Sequence, residues 1–428
     1  MFLSGLLASL VGVSGVVALN TGVAKLPVLG YNTWNAFRCD INESLILETG
    51  ELMVKHGLLA AGYNYLNLDD CYSEKNRSKS GDIVASAAKF PSGMKNLTNK
   101  IHKLGFKTGI YSDSGWFTCG GYPGSFSNEL RDLKTFKDWG FDYLKYDNCA
   151  IPYDSITRQG IVGRYQPMAD AVAKVAAETK TEPIVLSLCE WGWSQVWQWG
   201  KRFGQSWRTT GDIEPHWLSL ASIINFNSFL TTSTDFYGRN DLDMLQLGNG
   251  NLTDDEAKSH FTAWALMKSP LFIGTDLRNV TKETLEILTN REILAINQDP
   301  VYGESISPFR WGVNPDWTSD PINPANYWSG QSENGTVFMM LNTRDEATKM
   351  SFNLTESPWI RAGRKYSVRD LWAHTNNGTA IRNFTATVPP HGVVALLLKD
   401  AGDEPNGIFP ECSVWWQCTD RNGTRVGG

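Results

Sequence analysis

The chain has little charge, and what charge it has is spread along its length. Of its 428 residues, 20% are Lys, Arg, Asp or Glu, and the formal net charge is -6 at pH 7. No run of Lys and Arg is present that would line a phosphate backbone. The composition therefore argues against a nucleic acid as the partner of this protein.

The sequence also lacks the motifs of several other enzyme classes. No glycine-rich nucleotide loop follows the first strand-like segment, and no Ser stands out in a Gly-x-Ser-x-Gly turn. The six histidines are scattered rather than spaced as metal ligands. We therefore expect neither a metal ion nor an organic cofactor.

Long apolar runs are confined to the amino terminus. Residues 1–18 carry no charged side chain and end in Val16-Val17-Ala18, small residues that fit a signal-peptidase site. A membrane anchor is the alternative, but the apolar stretch is short and is interrupted by Gly and Ser. No later segment is long and apolar enough to span a bilayer. We expect a signal peptide at 1–18 and a secreted protein without a membrane partner after its removal.

Cysteines and glycosylation sequons agree with secretion. The seven cysteines are an odd number, which leaves at least one thiol without an intrachain partner. Ten Asn-x-Ser/Thr sequons fit passage through a glycosylating pathway. They lie at Asn42, Asn76, Asn96, Asn251, Asn279, Asn334, Asn353, Asn377, Asn383 and Asn422. The sequence predicts a secreted eukaryotic glycoprotein and leaves open which sequons carry glycans.

Strand-like and helical segments alternate through the first two thirds of the chain. The predicted strands are Leu29–Trp34, Tyr63–Asp69, Lys107–Ser112, Tyr143–Asp147, Ile184–Cys189, Ser206–Thr210, Leu242–Leu247 and Pro270–Thr275. The predicted helices are Ser44–His56, Met94–Lys103, Asn128–Trp139, Tyr165–Thr179, Trp217–Phe229, Asp254–Met267 and Lys282–Thr289. Eight strands over roughly 250 residues match an α/β fold of the (β/α)8 TIM-barrel type, with a doubly wound open sheet as the alternative. We expect the barrel to span residues 25–305.

From about residue 308 onward, alternating apolar and polar runs replace the helical pattern. These runs are Thr336–Asn342, Lys349–Leu354, Lys365–Leu371, Ile381–Val388 and Val393–Lys399. Turn signals such as Asn334-Gly335 separate them, which predicts a C-terminal antiparallel β-sandwich over residues 306–400. The stretch Trp311–Trp328 is expected to be a long loop. The tail, residues 401–428, contains Cys412 and Cys418 and has no role that the sequence reveals.

Ionisable and aromatic side chains stand where the predicted barrel strands end. They are Trp34, Asp69, Asp70, Tyr111, Asp113, Lys145, Asp147, Cys189, Glu190, Trp191, Arg208, Asp212, Asp243 and Asp276. Strand ends form the active site of a TIM barrel. Glycoside hydrolysis needs two carboxyl groups beside the scissile bond, and sugars pack their apolar face on tryptophan. These residues therefore favour a sugar-cleaving enzyme.

Six motifs in order resemble glycoside hydrolase family 27, the α-galactosidases or melibiases. They are Leu29–Asn35, Asn67–Cys71, Gly109–Asp113, Leu144–Cys149, Ser206–Ile213 and Pro270–Ile273. The match is collinear from about residue 26 to residue 400. The resemblance implies a secreted, retaining enzyme of fungal type, with a (β/α)8 barrel followed by an antiparallel β domain.

The resemblance also implies catalytic roles for two aspartates. Asp147 corresponds to the family's nucleophile, and Lys145 on the same strand face would lower its pKa. Asp212, in an Arg-x-x-x-Asp pattern with Arg208, corresponds to the acid/base. The alternative for Asp147 is a structural carboxylate that caps the next helix, which we consider the weaker interpretation. From the residues alone, Asp212 can equally form a loop salt bridge with Arg208.

Further residues correspond to the family's sugar-binding side chains. Asp69 and Asp70 resemble the pair that binds sugar hydroxyls, although an isolated Asp-Asp pair is more often a solvated turn. Trp34 resembles the wall against the apolar face of the sugar. Tyr111, Arg208 and Lys145 correspond to other contacts.

The family pattern also suggests how the cysteines pair. Cys119 and Cys149 resemble a family disulfide beside the pocket, Cys39 and Cys71 should pair likewise, and Cys412 and Cys418 would close a small loop. Cys189 is then left unpaired, and it can be an ordinary buried thiol.

A second interpretation gives Cys189 and Trp191 a role in substrate choice. In α-galactosidases a Cys and a Trp here fill the space near the sugar's C2 hydroxyl. In α-N-acetylgalactosaminidases small residues leave room for an acetamido group. Crowding by two large side chains therefore favours galactose.

The resulting hypothesis is a retaining α-galactosidase that removes terminal α-D-galactosyl residues from galacto-oligosaccharides, galactomannans or glycoconjugates. The alternatives are an α-N-acetylgalactosaminidase, a β-L-arabinopyranosidase or an inactive galactose-binding protein on the same scaffold. The presence of both Asp147 and Asp212 argues against the last. The partner is a carbohydrate, while the preferred leaving group, the pH optimum and the oligomeric state are left open.

Overall fold

Eight short buried strands form a parallel barrel in the computed structural model, which describes residues 22–405 together with Asn422 and Thr424. The strands are β1 (Leu29–Asn32), β2 (Tyr65–Asn67), β3 (Lys107–Asp113), β4 (Tyr143–Asp147), β5 (Val185–Leu188), β6 (Ser206–Arg208), β7 (Arg239–Asp241) and β8 (Leu271–Ile273). They pair in the order β7-β6-β5-β4-β3-β2-β1-β8. The predicted signal peptide and the predicted pair of Cys412 and Cys418 lie outside the described residues.

The chain after β7 closes the barrel. The backbone N–H of Leu245 donates to the carbonyl of Phe272 at 2.8 Å, and Leu245 bridges Ile273 in a parallel sense. Inside the barrel, Tyr65, Tyr143 and Phe272 pack edge to face, with ring centroids 5.9 and 5.4 Å apart. The (β/α)8 fold predicted from the sequence is confirmed.

The seventh strand lies earlier in the chain than predicted. It is formed by the polar run Arg239-Asn240-Asp241, and Asp243 then leaves the extended conformation with a φ of 78°. The polar side chains of β7 are buried because other elements satisfy them, for example Trp207 Nε1, which donates to Asn240 Oδ1 at 2.8 Å. The predicted segment Leu242–Leu247 is the connection that closes the barrel.

Helices connect the barrel strands. They are α1 (Trp34–Phe37), α2 (Glu43–Lys55), α3 (Met94–Lys103), α4 (Glu129–Trp139), α5 (Tyr153–Thr179), α6 (Val196–Trp199), α7 (Trp217–Ser228), α8 (Asp254–Leu266), α9 (Lys282–Leu288) and α10 (Arg291–Asn297). Side-chain caps explain several starts, such as the capping box between Thr253 and Glu256 at α8. Helix α5 begins earlier than predicted and is kinked at Gly160, whose φ is 69°. The short helices α1, α6 and α10 were not predicted.

The C-terminal region forms two antiparallel sheets. Its strands are β9 (Ser307–Arg310), β10 (Tyr327–Ser332), β11 (Gly335–Leu341), β12 (Thr348–Asn353), β13 (Arg364–Asp370), β14 (Thr375–Ile381), β15 (Asn383–Val388) and β16 (Val393–Asp403). Six strands pair as β14-β13-β16-β11-β10-β9, and β12 pairs with β15. Between the sheets, Phe338 stacks on Phe352 with ring centroids 4.9 Å apart. The predicted antiparallel domain is confirmed, although the sequence did not indicate β9, β10 or β14.

The C-terminal domain packs on the outer wall of the barrel beside α7 and α8. The His391 ring stacks on Trp217 at 4.3 Å, and its Nδ1 lies 2.8 Å from a carboxylate oxygen of Glu256. Ser259 Oγ donates to the carbonyl of His391 at 2.6 Å. The side chains of Trp311 and Trp328 join the barrel's core cluster. These contacts leave the carboxyl ends of the barrel strands to form the site.

Two disulfides tie loops together at that end of the barrel. Cys39 is bonded to Cys71, and Cys119 is bonded to Cys149, with Cα atoms 5.2 and 5.3 Å apart. Cys189 is a free, buried thiol. Among the described residues, no helix combines the length and the apolar character needed to cross a bilayer.

We expect the Cys39–Cys71 bond to stabilise the fold by restricting the unfolded chain. It joins residues 32 apart. Replacing both cysteines by Ser should lower the free energy of unfolding by about 3 kcal/mol, measured by denaturant titration. The single variant Cys39→Ser is the control and should lose a similar amount. An unchanged denaturation midpoint in the double variant would contradict this expectation.

Candidate active site

A pocket with about 390 Å³ of empty space opens at the carboxyl ends of the barrel strands. It is lined by Trp34, Asn35, Asp69, Tyr111, Cys119, Lys145, Asp147, Trp191, Arg208, Asp212, Asp243 and Met244. A larger groove lies on the outer wall beside α9 and contains no strand-end side chain. The strand-end pocket is therefore the candidate active site.

Asp147, the last residue of β4, presents a nearly buried carboxylate to the pocket, with 5% of the residue exposed. Tyr111 donates its hydroxyl to Asp147 Oδ2 at 2.7 Å, and the backbone N–H of Asn148 donates to Oδ1 at 2.9 Å. Burial raises the pKa of this carboxyl, while the charge of Lys145 and the bonds from Tyr111 and Cys189 oppose the rise. The charge and the hydrogen-bond donors around Asp147 thus favour its ionised form, against the effect of burial.

Lys145 lies between the carboxylates of Asp69 and Asp147. Its Nζ donates to Asp69 Oδ2 at 2.8 Å, and that oxygen also accepts from Asn32 Nδ2 at 2.8 Å. Desolvation lowers the pKa of Lys145, but the charges of Asp69, Cys189 and Asp147 raise it well above the ordinary value. Lys145 is therefore a permanent cation at the base of the pocket.

Asp70 occupies a different position from Asp69. Its two carboxylate oxygens accept from the backbone N–H groups of Cys71 and Gly120, each at 2.7 Å. Asp70 does not line the pocket, and burial raises its pKa. In this structure it holds the loop that carries Cys119 against the end of β2, and its predicted contact with a sugar hydroxyl stays a prediction.

Arg208, at the end of β6, joins two carboxylates on the other side of the pocket. Its Nη2 lies 3.1 Å from Asp212 Oδ1 and 2.9 Å from Asp243 Oδ2. The Asp212 side chain is 69% exposed, whereas those of Arg208 and Asp243 are 4% exposed. Desolvation raises the pKa of Asp212, but the charges of Arg208 and Lys145 hold it below its ordinary value.

Trp191 and Cys189 lie at different depths in the site, Trp191 in the pocket and Cys189 further inside the barrel. Trp191 lines the pocket, and its ring packs against Trp193 with centroids 6.2 Å apart. Cys189 is not among the lining residues of this pocket. It lines a second, small cavity inside the barrel together with Lys145 and Arg208, and its Sγ lies 3.9 Å from Arg208 Nη1. Burial raises the pKa of the Cys189 thiol well above its ordinary value.

The pocket brings together eight of the ten predicted catalytic and sugar-binding residues, all except Asp70 and Cys189. It also contains Asn35, Cys119 and Met244, to which the sequence interpretation gave no contact with the sugar, and Asp243, which belonged to the strand-end set but received no role. The predicted seventh strand, Leu242–Leu247, placed Asp243 near the start of a strand. In the structure Asp243 lies two residues after the end of β7, has a φ of 78°, and places its Oδ2 2.9 Å from Arg208 Nη2.

One group of side chains among the described residues has the proximity of metal ligands. Ligand atoms of Asp113, Cys119 and Cys149 lie within 4.8 Å of one another. Both sulfurs belong to a disulfide, and both Asp113 oxygens accept backbone N–H bonds, from Gly115 and Cys149. This donor set does not suit a metal ion, because metal-binding sulfur is a thiolate.

A family model described as "Alpha galactosidase A" matches residues 26–299. The chain belongs to the α-galactosidase family. A second model, "Alpha galactosidase C-terminal beta sandwich domain", matches residues 323–398 of the same chain. The resemblance to glycoside hydrolase family 27 is confirmed, and with it a place among the glycoside hydrolases.

Relatives of the α-galactosidase family match over nearly their whole length. "Probable alpha-galactosidase B" of Talaromyces emersonii is 41% identical over 88% of this chain and 93% of its own. The crystal structure of α-galactosidase I from Mortierella vinacea has a TM-score of 0.80 at 34% identity, covering 90% of this chain and all of that one. The α-galactosidase of Saccharomyces cerevisiae with raffinose has a TM-score of 0.79 at 28% identity, covering 89% of this chain and 99% of that one.

We expect the Tyr111 hydroxyl to set the ionisation of Asp147. Removing it in Tyr111→Phe takes away a bond that favours the ionised carboxylate, so the pKa of Asp147 should rise further. The limb of the pH profile of kcat/KM that reports Asp147 should then move to higher pH, measured with p-nitrophenyl α-galactoside.

The matched control is Tyr63→Phe, which removes another buried tyrosine bond, to the carbonyl of Leu288 at 2.8 Å. Tyr63 does not line the pocket, so the profile should keep its limbs. Identical limbs in wild type and Tyr111→Phe would show that this bond does not control the carboxylate.

Proposed function

We propose that the protein is a retaining α-galactosidase that hydrolyses terminal α-D-galactosyl residues, with Asp147 as nucleophile and Asp212 as acid/base. The observation that carries the proposal is that two carboxyls line one pocket. Asp147 is buried among donors, and Asp212 is exposed at the rim beside Arg208. A retaining glycosidase needs two carboxyl groups beside the bond that is cleaved, one as nucleophile and one as acid/base.

In the first step, an Asp147 oxygen bonds to the anomeric carbon as the glycosidic C–O bond breaks. Asp212 gives its proton to the departing oxygen, so the alcohol leaves neutral. Lys145 and Tyr111 support this step because both favour the ionised form of Asp147 and oppose the rise in its pKa that burial causes. In the second step, Asp212 takes a proton from water, which attacks the same carbon and releases Asp147.

Asp212 must gain a proton before it can act as an acid. The charges of Arg208 and Lys145 favour its anion. A bound sugar would cover this exposed carboxyl and remove it from water, which raises its pKa. After the covalent bond forms, Asp147 no longer carries a negative charge, so the pKa of Asp212 falls again. The same residue can thus serve as acid and then as base.

The pocket suits a terminal neutral sugar. Trp34 and Trp191 offer aromatic faces, and Asp69 with Lys145 offers an acceptor and a donor for hydroxyl groups. The relative from Saccharomyces cerevisiae was solved with raffinose, a galactose-terminated trisaccharide. This supports galacto-oligosaccharides among the substrates of the protein, together with galactomannans and glycoconjugates that end in α-galactose.

We also propose that the protein is secreted. Two disulfides between barrel loops are typical of proteins that fold in an oxidising compartment. The apolar segment at residues 1–18 and the ten sequons support the same location.

Two substitutions test the catalytic roles. Asp147→Ala should abolish turnover while galactose binding, measured by calorimetry, largely remains.

Asp212→Ala should slow melibiose hydrolysis by about 100- to 10,000-fold, because general acid–base catalysis supplies that much. It should slow p-nitrophenyl α-galactoside less, since p-nitrophenolate leaves without a proton. An equal loss of hydrolysis rate on melibiose and on p-nitrophenyl α-galactoside would show that Asp212 is not the acid.

The choice of sugar can be tested with a pair of substrates. We expect hydrolysis of p-nitrophenyl α-galactoside and none of the α-N-acetylgalactosaminide, because Trp191 occupies the pocket wall above Cys189. Trp191→Ser should admit the acetamido group and give measurable turnover of the second substrate. Wild-type activity on both would reject the steric filter, and galactose binding without any turnover would favour the inactive binding protein.

A further inference from the structure

A buried arginine stands behind the strand that carries the proposed nucleophile. Arg164 belongs to α5, the helix that follows β4, and is 3% exposed. It does not line the pocket, so it has no contact with a bound sugar there. A buried guanidinium without partners is strongly unfavourable, and its contacts therefore indicate what it does.

The guanidinium of Arg164 joins the ends of two barrel strands. Its Nη1 donates to Asn148 Oδ1 at 2.5 Å, and its Nη2 donates to Ser114 Oγ at 2.7 Å. Ser114 directly follows β3, and Asn148 directly follows β4. One planar group thus spans the neighbouring strand ends.

Both partners of Arg164 bind Asp147. Ser114 donates its hydroxyl and its backbone N–H to the carbonyl of Asp147, at 2.8 and 2.9 Å. The backbone N–H of Asn148 donates to Asp147 Oδ1 at 2.9 Å. Ser114 and Asn148 are completely buried. Each branch of the guanidinium therefore reaches Asp147 through a single intervening residue.

We propose that Arg164 is a positioning residue that holds Ser114 and Asn148 and thereby aims the carboxylate of Asp147 at the anomeric carbon. The inference rests on the proposed role of Asp147. A nucleophile must lie about 3–3.5 Å from its target with the correct orientation. A small rotation at the end of β4 moves the carboxylate out of that geometry, and Arg164 resists this rotation from the side opposite the pocket.

Directional bonds rather than one ion pair hold Arg164 in place. The charge of Arg164 lowers the pKa of two acidic side chains, Asp113 and Glu190. Burial nevertheless raises the pKa of Asp113 to about 8 and that of Glu190 to about 9. The two Nη atoms of Arg164 therefore bind two neutral oxygens, Asn148 Oδ1 and Ser114 Oγ. The single ammonium group of a lysine does not reproduce this geometry.

The test compares Arg164→Lys with a matched control, Arg239→Lys. Arg239 is also 3% exposed, and its Nη2 donates to the carbonyls of Ala24 and Lys25 at 2.9 and 2.7 Å. It opens β7 and does not line the pocket. Both variants should melt at a lower temperature than wild type. Only Arg164→Lys should lower kcat, by about 100-fold, the usual effect of a misplaced reacting group.

The division between kcat and KM separates positioning from general damage. In Arg164→Lys, KM and the Kd of galactose should stay within about threefold of wild type, because the sugar-binding side chains are untouched. An Arg164→Lys enzyme with the kcat of Arg239→Lys would overturn the proposal. If Asp147→Ala keeps its turnover, the nucleophile assignment itself fails. If Asp147→Ala is inactive while Arg164→Lys is fully active, only the positioning role fails.

A second variant keeps the proposal testable if Arg164→Lys does not fold. Ser114→Ala removes one hydroxyl bond to the Asp147 carbonyl and should lower kcat by about tenfold at constant KM. Ser114 and Arg164 act through the same chain of bonds, so the double variant should lose less kcat than the product of the two single losses. Independent, multiplicative losses, or an unchanged kcat in Ser114→Ala, would contradict the proposal.

Discussion

The ion pair between Lys145 and Asp69 is the interaction on which the rest of the site depends. It fixes a positive charge at the base of the pocket, 2.8 Å from one carboxylate and on the same strand as another. Burial would otherwise favour the neutral form of Asp147. The positive charge of Lys145 opposes this effect of burial. The Tyr111 hydroxyl and the backbone N–H of Asn148 add hydrogen bonds to the Asp147 carboxylate, which favour the same ionised form.

The barrel makes that balance possible because it brings distant segments to one edge. Parallel strands place their carboxyl ends side by side, so Asp69, Tyr111 and Lys145 meet although they are far apart in the chain. The disulfides then tie consecutive loops at the same edge. The barrel strands on one side of the pocket and the disulfide-linked loops on the other hold the charged side chains at fixed separations. Little reorganisation is therefore needed when charge moves during the reaction.

The sequence allowed much of this to be predicted, for identifiable reasons. Strand β4 was predicted at its observed bounds, since an apolar and aromatic run that ends at ionisable residues is typical of a buried parallel strand. Strand β7 was missed because Arg239-Asn240-Asp241 looks like a loop until Trp207 satisfies Asn240.

Asp69 and Asp70 are indistinguishable in a sequence. Only the three-dimensional path of the chain shows that Asp69 binds Lys145 in the pocket and that Asp70 accepts hydrogen bonds from backbone N–H groups. Arg164 lies on a helix, and its bond to Asn148 depends on how that helix packs behind the strand. No pattern of residue spacing in the sequence predicts such a contact.

The exposure of Asp212 has a consequence for what the protein recognises. Its side chain is 69% exposed at the rim, whereas Asp69 and Asp147 lie deep in the pocket. In the mechanism that we propose, the bond to be broken lies beside this exposed carboxyl, so the departing group would extend from the rim into solvent. The residues that line the pocket would then contact the terminal sugar rather than the chain that carries it.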